Sequence, residues 1–346
     1  MIVVKTVSAR RILGWFWVHI MWLSIWASAA VGILSYYDLQ AWFSVPWLPI
    51  SLVGTAVAFF VGFKNNSSYD RLWEARKIWG GIVNSSRTWG ITLRSFVSNQ
   101  FRDHDLSDKE LHAIHRRIIR RHIGWLYALR CQLLAVKDWE HAGQRGYIGK
   151  TARRYQREYG VGLIDDQMSD VALQHLLPEG EFDRLVDRQN LAAQLLDQQS
   201  KELQQLRSQD LIDDFRHMEL QNILASFFDH QGKAERIKNY PLPRQYANSG
   251  SIFVAIFIML LPFGMATEFA KNHSMDIWWS VPFTVLVGWV FVMLETVGDY
   301  SENPFQGMAN DIPMFSLCRT IEIDLLEMLG EPEIPQPASP KDGVLM

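Results

Sequence analysis

The sequence lacks several features that soluble enzymes and secreted domains commonly have. Its two cysteines, Cys131 and Cys318, lie far apart and form no CxxC pair. A disulfide framework or a zinc ribbon is therefore not expected, and a reducing compartment fits this cysteine content. The chain contains no glycine-rich phosphate loop, GxSxG or HExxH motif, so nothing in it argues for catalysis. A net charge of −3 predicts no polyanionic partner such as nucleic acid.

Charged residues are scarce in large parts of the chain. Residues 64–246 hold 28 of the 34 Lys and Arg and 24 of the 37 Asp and Glu. Four segments contain no charged residue, namely 15–34, 45–63, 247–267 and 277–294. A helix needs about 20 apolar residues to cross the hydrocarbon layer of a bilayer. The four segments therefore predict four transmembrane helices rather than buried helices of a large soluble core.

Basic residues near the ends of these segments predict the orientation of the chain. Arg10 and Arg11 precede the first span and Lys64 follows the second, whereas the stretch 35–44 between the two spans has no Lys or Arg. Cytosolic flanks of membrane spans carry an excess of Lys and Arg. Both termini and the charged middle are therefore expected in the cytosol, with Trp42 in the outer interfacial belt.

The charged middle of the chain reads as helical. Its apolar residues recur at intervals of three and four, as in Leu111, Ile114 and Ile118, which is the spacing of an amphipathic helix. The expected fold class is therefore all-α. The expected organisation is an N-terminal segment with two spans (1–63), a helical cytosolic domain (64–246), two further spans (247–297), a cytosolic C-terminal segment (298–331) and a proline-rich, disordered tail (332–346).

The second span has a specific side-chain layout. Thr55, Phe59 and Phe63 are spaced by four and so share one helical face. Gly54 and Gly62 fall at other positions, where small residues allow helices to approach closely in lipid. One interpretation is a set of apolar rings that gate ions. The other is an ordinary packing or lipid-facing stripe, which this spacing also fits.

Two long motifs give the sequence a resemblance to a known family. The run FKNNSSYDRLWEARKIWG begins at Phe63, and the run ENPF at Glu302 is followed by NDIPMFSLCRTIEIDLLEMLGE from Asn310. Both resemble the bestrophin family in its bacterial form. The resemblance covers nearly the whole chain, apart from the less similar segment 140–200.

The resemblance implies a homopentameric ion channel with a central pore, in the bacterial inner membrane. By motif position, the implied neck rings are Thr55, Phe59 and Phe63, and the implied cytosolic aperture is Leu195. The remaining implied residues are a pore mouth of Asn65, Asn66, Arg71, Glu74 and Arg76, and a C-terminal motif of Asn303, Pro304, Phe305 and Asp311. The implied partners are further copies of the chain, membrane lipid and permeant monovalent ions, with no cofactor or metal.

The resemblance leaves the permeant ion open. Cations are favoured by analogy with bacterial relatives, and anions such as chloride are the alternative. Animal bestrophins bind Ca²⁺ through acidic residues after the Asn-Pro-Phe motif, whereas Met308 stands here where a carboxylate is expected. We therefore expect no activation by Ca²⁺. The second functional hypothesis is a non-conducting membrane scaffold or sensor with a cytosolic signalling domain; neither hypothesis involves enzyme activity.

Overall fold

The computed structural model describes residues 1–5, 9–37, 45–164, 173, 175–271 and 276–346, without the side chains of residues 9–15. Trp42 and the side chains of Arg10 and Arg11 lie outside the described residues. Within this part of the chain the structure has ten α-helices and no β-strand longer than an isolated bridge. The all-α fold class is thereby confirmed.

The described residues form ten helices along the chain. In chain order they are α1 (Ala9–Tyr36), α2 (Trp47–Phe96), α3 (Asp108–Leu134), α4 (Gly146–Tyr159), α5 (Glu181–Leu185), α6 (Leu191–Ser208), α7 (Asp214–Asn239), α8 (Arg244–Ala270), α9 (Ser280–Ser301) and α10 (Met314–Leu329). Helix α2 is 50 residues long and continues without a break past Lys64, where charged residues begin. One helix therefore carries both the apolar and the charged pattern.

One of two compact units contains the membrane helices. This membrane unit comprises Val4–Arg71 and Pro241–Asn303. The described residues include four helices that are long and apolar enough to cross a membrane, which confirms the four predicted spans. Their spans are Phe16–Tyr36, Trp47–Phe101, Arg244–Ala270 and Ile277–Ser301.

The spans approach closely where glycine replaces a side chain. At Gly54 of α2 an added Cβ atom would lie 2.7 Å from the ring of Phe257 in α8. At Gly288 of α9 it would lie 3.0 Å from Leu23 in α1. Carbon atoms in favourable contact are about 3.5–4.0 Å apart, so neither position has room for a side chain unless its neighbour moves.

The other unit is a helical unit formed by Met1–Val3, Leu72–Tyr240 and Pro304–Met346. Helix α3 runs through its core, since every residue from Arg121 to Arg130 is buried. A helix that is buried all round must be enclosed by other elements, and helices α6, α7 and α10 pack against α3. The predicted helical character of the charged middle is therefore confirmed.

The last residues of the C-terminal tail contact other parts of the helical unit, and the disorder of residues 332–346 stays a prediction. The amide of Leu345 donates to Met1 O at 2.8 Å, and the amide of Ser316 donates to Met346 O at 2.8 Å. Met346 is only 5% exposed. Val344 is also buried, whereas most residues from 332 to 343 are exposed.

Candidate functional site

Three residues of α2 form an exposed stripe within the membrane unit. Thr55, Phe59 and Phe63 are all exposed, and the two phenylalanines are 66% and 65% exposed. We call these three residues the α2 stripe. The hydroxyl of Thr55 donates to Ser51 O at 2.9 Å, so its proton is used within the helix and its oxygen can still accept a hydrogen bond.

The opposite face of α2 is packed. Val57 and Val61 are 3% and 1% exposed, and they share an apolar cluster with Val254 and Phe257 of α8. Packing within one chain therefore determines the rotation of α2. It leaves most of the surface of the α2 stripe uncovered.

Lys64 points away from the α2 stripe. Its side chain is 0% exposed, and its Nζ lies 2.6 Å from Glu295 Oε1 in α9. The hydroxyl of Ser251 in α8 donates to the same oxygen at 2.7 Å. A buried charge is tolerated when it is paired and hydrogen-bonded. Glu295 therefore connects α2, α8 and α9 at the position where the charged residues of α2 begin.

The predicted pore-mouth residues lie on different faces of α2. Asn66 is exposed on the side of the α2 stripe. Asn65 faces α9, where its Nδ2 donates to Leu294 O at 3.0 Å, and Arg71 Nε donates to Glu302 O at 2.8 Å. Successive helix residues turn by about 100°, so neighbours in sequence cannot share a face. Asn65 and Arg71 thus contact other parts of the membrane unit, and a role for either residue at a pore mouth stays a prediction.

Glu74 and Arg76 belong to the helical unit. Glu74 Oε2 lies 2.6 Å from Lys77 Nζ, one turn along the helix, and Arg76 is exposed. Surface pairs of this kind contribute little to stability. A role for either residue at a pore mouth stays a prediction.

The C-terminal motif includes a tight loop around Asp311. The Asp311 carboxylate accepts hydrogen bonds from the amides of Phe305 at 2.9 Å, Gly307 at 2.7 Å and Ile312 at 2.7 Å. Phe305 and Gly307 have φ angles of 73° and 74°, in the left-handed region that non-glycine residues seldom occupy. Burial raises the pKa of Asp311, and the three amide donors oppose that shift. Asp311 therefore holds the loop in its turned conformation.

A lysine ammonium lies beside this loop. Lys238 Nζ forms an ion pair with Glu140 Oε1 and lies 3.5 Å from Phe305 O. The two charged side chains are 3% and 2% exposed. Met308 is 7% exposed, so a buried apolar side chain occupies the position where the resemblance expects a carboxylate. Protein groups therefore already engage the Asp311 carboxylate and the Phe305 carbonyl oxygen.

Asn303 and Pro304 precede the loop, and both are buried. Asn303 Nδ2 donates to Glu302 Oε1 at 3.0 Å, and Arg244 Nη1 donates to the same oxygen at 3.1 Å. Sequence reasoning missed Glu302 as an organising residue. Its position directly before the Asn-Pro-Phe motif could have drawn attention to it. Its basic partner, Arg244, lies 58 residues earlier in the chain, so local spacing does not pair the two residues.

Leu195, the predicted aperture residue, is buried within its own chain. It is 0% exposed and belongs to the main apolar cluster of the helical unit. Within one chain its side chain is thus enclosed, and a role of Leu195 at an aperture between subunits stays a prediction. The segment concerned has the weakest resemblance, and helical spacing alone does not show which leucine of α6 faces the core.

Fold and site define an α-helical membrane protein with four spans, in which one long helix exposes an aromatic stripe. Comparison with known proteins shows which family within this class the chain belongs to. The sequence matches the family described as "Bacterial/Fungal Bestrophin protein" over residues 4–327. The chain belongs to the bestrophin family.

Individual relatives support the same assignment. The "Voltage-dependent anion channel-forming protein YneE" of Escherichia coli (strain K12) is 27% identical over 310 residues, which are 86% of this chain and 85% of that protein. A protein of the same printed description from Mesorhizobium japonicum, mll4386, is 28% identical over 82% of this chain and 75% of its own length. The crystal structure of a bacterial bestrophin homolog from Klebsiella pneumoniae has a TM-score of 0.72 at 24% identity and covers 91% of this chain and 98% of that chain. At this identity the structural similarity shows a shared fold.

Proposed function

We propose that this chain is the subunit of a homopentameric ion channel in the bacterial inner membrane, with the α2 stripe as its neck. The observation that carries the proposal is the exposure of Phe59 and Phe63, at 66% and 65%, on a face of α2 opposite its packed face. The channel-forming descriptions of the curated relatives support ion conduction. The resemblance of the motifs supports the fivefold arrangement.

In this proposal the α2 stripe acts as a barrier to ions. An ion that enters a narrow apolar ring loses hydration, and such constrictions can also gate by dewetting. Aromatic rings compensate in part, because their edges attract anions and their faces attract cations. Thr55 adds an acceptor oxygen, so its ring is wetter than an aliphatic ring would be. The neck opens when the phenyl rings rotate or move apart.

The permeant ions that we propose are monovalent cations, with anions as the alternative. The names of the relatives refer to anion channels, and those names apply to the relatives. Reversal potentials in planar bilayers under a NaCl gradient show directly whether the permeant ion is a cation or an anion. A reversal potential with the same sign as the equilibrium potential of chloride would contradict the cation proposal and support the anion alternative.

We further propose that Ca²⁺ does not activate the channel. The carboxylate of Asp311 accepts three backbone hydrogen bonds, and the ammonium of Lys238 already lies beside the same loop. Calcium requires six to eight oxygen ligands, and this loop offers an apolar methionine, Met308, at one expected ligand position. An increase in current after addition of Ca²⁺ to the cytosolic side would contradict this proposal.

The proposed orientation places both termini in the cytosol. Lys64 contacts Glu295, and Arg71 and Arg244 both contact Glu302. The basic residues that flank the second and third spans therefore meet the end of α9 at one side of the membrane unit. Positive residues favour the cytosolic side, so this side should be cytosolic. Labelling of single cysteines near each terminus in intact and permeabilised cells tests the orientation.

Ion flux from proteoliposomes tests the channel proposal most directly. The substitution Phe63→Ala removes a phenyl ring from the neck and should raise the flux, since a wider, less apolar constriction is easier to hydrate. A matched control is Phe283→Ala, which removes another exposed phenylalanine, 44% exposed, from α9. A stable oligomer without flux, both as wild type and with Phe63→Ala, would favour the alternative of a non-conducting scaffold or sensor.

A further inference from the structure

Asp70 presents a carboxylate in line with the α2 stripe. It lies seven residues after Phe63, which corresponds to two helical turns and about 10 Å along the axis. It is exposed, and Asn66, one turn closer to the stripe, donates from Nδ2 to Asp70 Oδ2 at 3.5 Å. The face that carries the aromatic residues in the membrane therefore continues into an amide and then a carboxylate.

The two basic residues between Phe63 and Leu72 are turned away from this face, and Lys77, two turns beyond Asp70, is paired with Glu74. Lys64 is fully buried, with its Nζ 2.6 Å from Glu295 Oε1 and 3.8 Å from Asp299 Oδ1. Arg71 is half-buried and donates to Glu302 O at 2.8 Å. In the described part of the chain, Asp70 itself forms no ion pair. The side chains of Lys64 and Arg71 are thus directed to acceptors in α9 and directly after it, and the charge presented next to the α2 stripe is negative.

We propose that Asp70 is a selectivity residue that favours monovalent cations at the cytosolic end of the neck. This inference rests on the proposed function, because only the arrangement of several α2 helices around an axis turns one carboxylate per chain into a ring. Rings of Asp or Glu are a common basis of cation selectivity in channels. A ring of like charge raises the local concentration of ions of the opposite sign.

The aromatic neck and the acidic ring then have different roles. The phenyl groups of Phe59 and Phe63 make passage costly for every ion, because an apolar ring offers little replacement for water. Asp70 makes the approach from the cytosol more favourable for cations than for anions. Selectivity should therefore depend on Asp70, and the barrier height on the α2 stripe.

Reversal potentials of Asp70→Asn and Asp70→Lys channels, recorded in planar bilayers under a KCl gradient, test this inference. Asparagine has nearly the same shape as aspartate, and Asp70 is exposed, so folding and oligomer size should not change. At low salt the cation-to-anion permeability ratio should fall on the order of tenfold for Asp70→Asn, and further for Asp70→Lys. At 1 M salt the difference should shrink, because the screening length drops to about 3 Å.

The control is Glu158→Gln, which removes the same charge from an exposed residue of α4 that pairs with Arg154 at 3.7 Å. Its reversal potential should equal that of the wild type. If Asp70→Asn conducts with an unchanged permeability ratio, the inference about Asp70 is wrong while the channel proposal stands. If neither the wild type nor the Phe63→Ala channel conducts, the channel proposal fails, and the role of Asp70 fails with it.

Discussion

Lys64 Nζ and Glu295 Oε1 lie 2.6 Å apart in the membrane unit, although 231 residues separate them in the chain. The lysine side chain is 0% exposed and that of the glutamate is 10% exposed. Phe63, the residue before Lys64, is 65% exposed. The ion pair and the exposed ring are thus on adjacent residues of one helix, and the pair helps to hold the helix in the rotation that presents the ring.

Removal of the lysine should destabilise the membrane unit strongly. Lys64→Met leaves the Glu295 carboxylate buried without its counter-charge, which should cost about 3–5 kcal/mol. Thermal unfolding in detergent, followed by tryptophan fluorescence, measures the loss. The double variant Lys64→Met/Glu295→Met removes both charges and should recover most of the stability. Equal stability of the single variant and the wild type would contradict the assignment of a buried pair.

Two glycines of α2 should respond differently to the same substitution. Gly54→Val forces a side chain into the ring of Phe257, where a Cβ atom would already lie 2.7 Å away, and should cost about 1–3 kcal/mol. At Gly62 an added Cβ meets nothing within 4 Å, so Gly62→Val is the matched control in the same helix. Comparison of the two unfolding temperatures checks the packing, and equal losses would argue against close contact at Gly54.

Neutralisation of Asp311 should loosen the loop that it organises. Asp311→Asn replaces one acceptor oxygen with an NH₂ group, so at least one of the three backbone donors loses its partner. The expected loss of unfolding free energy is about 1–3 kcal/mol, measured by thermal or chemical unfolding. Asp229→Asn alters a surface aspartate that pairs with Lys233 and should leave stability nearly unchanged. Similar losses for both variants would contradict the role of Asp311 in holding the loop.

His122 should make the helical unit less stable in acid. Its Nε2 lies 2.9 Å from Ser86 Oγ, and complete burial lowers its pKa to about 3. The unfolded chain takes up this proton below about pH 6.5, while the folded chain does not until about pH 3. Stability is therefore complete above pH 6.5 and falls as the pH drops towards 3, by about 2 kcal/mol at pH 5.

The variant His122→Gln checks this pH dependence. It retains a polar group near Ser86 but does not titrate, so its loss of stability between pH 7 and pH 5 should be smaller than that of the wild type. Chemical unfolding at both pH values gives the two differences. An identical loss in the two proteins would show that His122 is not responsible.

Much of the candidate site could be predicted from helical spacing. Residues four apart share a face, so Thr55, Phe59 and Phe63 were expected together, and the structure exposes all three. The same spacing rule could have identified Asp70, seven residues beyond Phe63. It also places Asn65 on a different face from Phe63, because two residues of a helix turn the side chain by about 200°.

Helical spacing did not predict how deeply Leu195 is buried. An amphipathic pattern predicts that one side of α6 is buried, but the depth of burial depends on the helices that pack on it. Leu195 lies in the core of the helical unit because α6 packs against α3 and α7. Such contacts join residues that are distant in the chain, so local spacing does not contain them.

By itself, the sequence determined the all-α class, the four spans and the aromatic face of α2, since each depends on the local order of apolar and charged residues. Only the tertiary structure decided that Lys64 is buried against Glu295, that Asp311 holds a loop through three amides, and that the last residues of the tail contact Met1 and Ser316. The reason is that a charge in an apolar surrounding is stable only beside a specific partner, and the folded chain decides which distant residue becomes that partner.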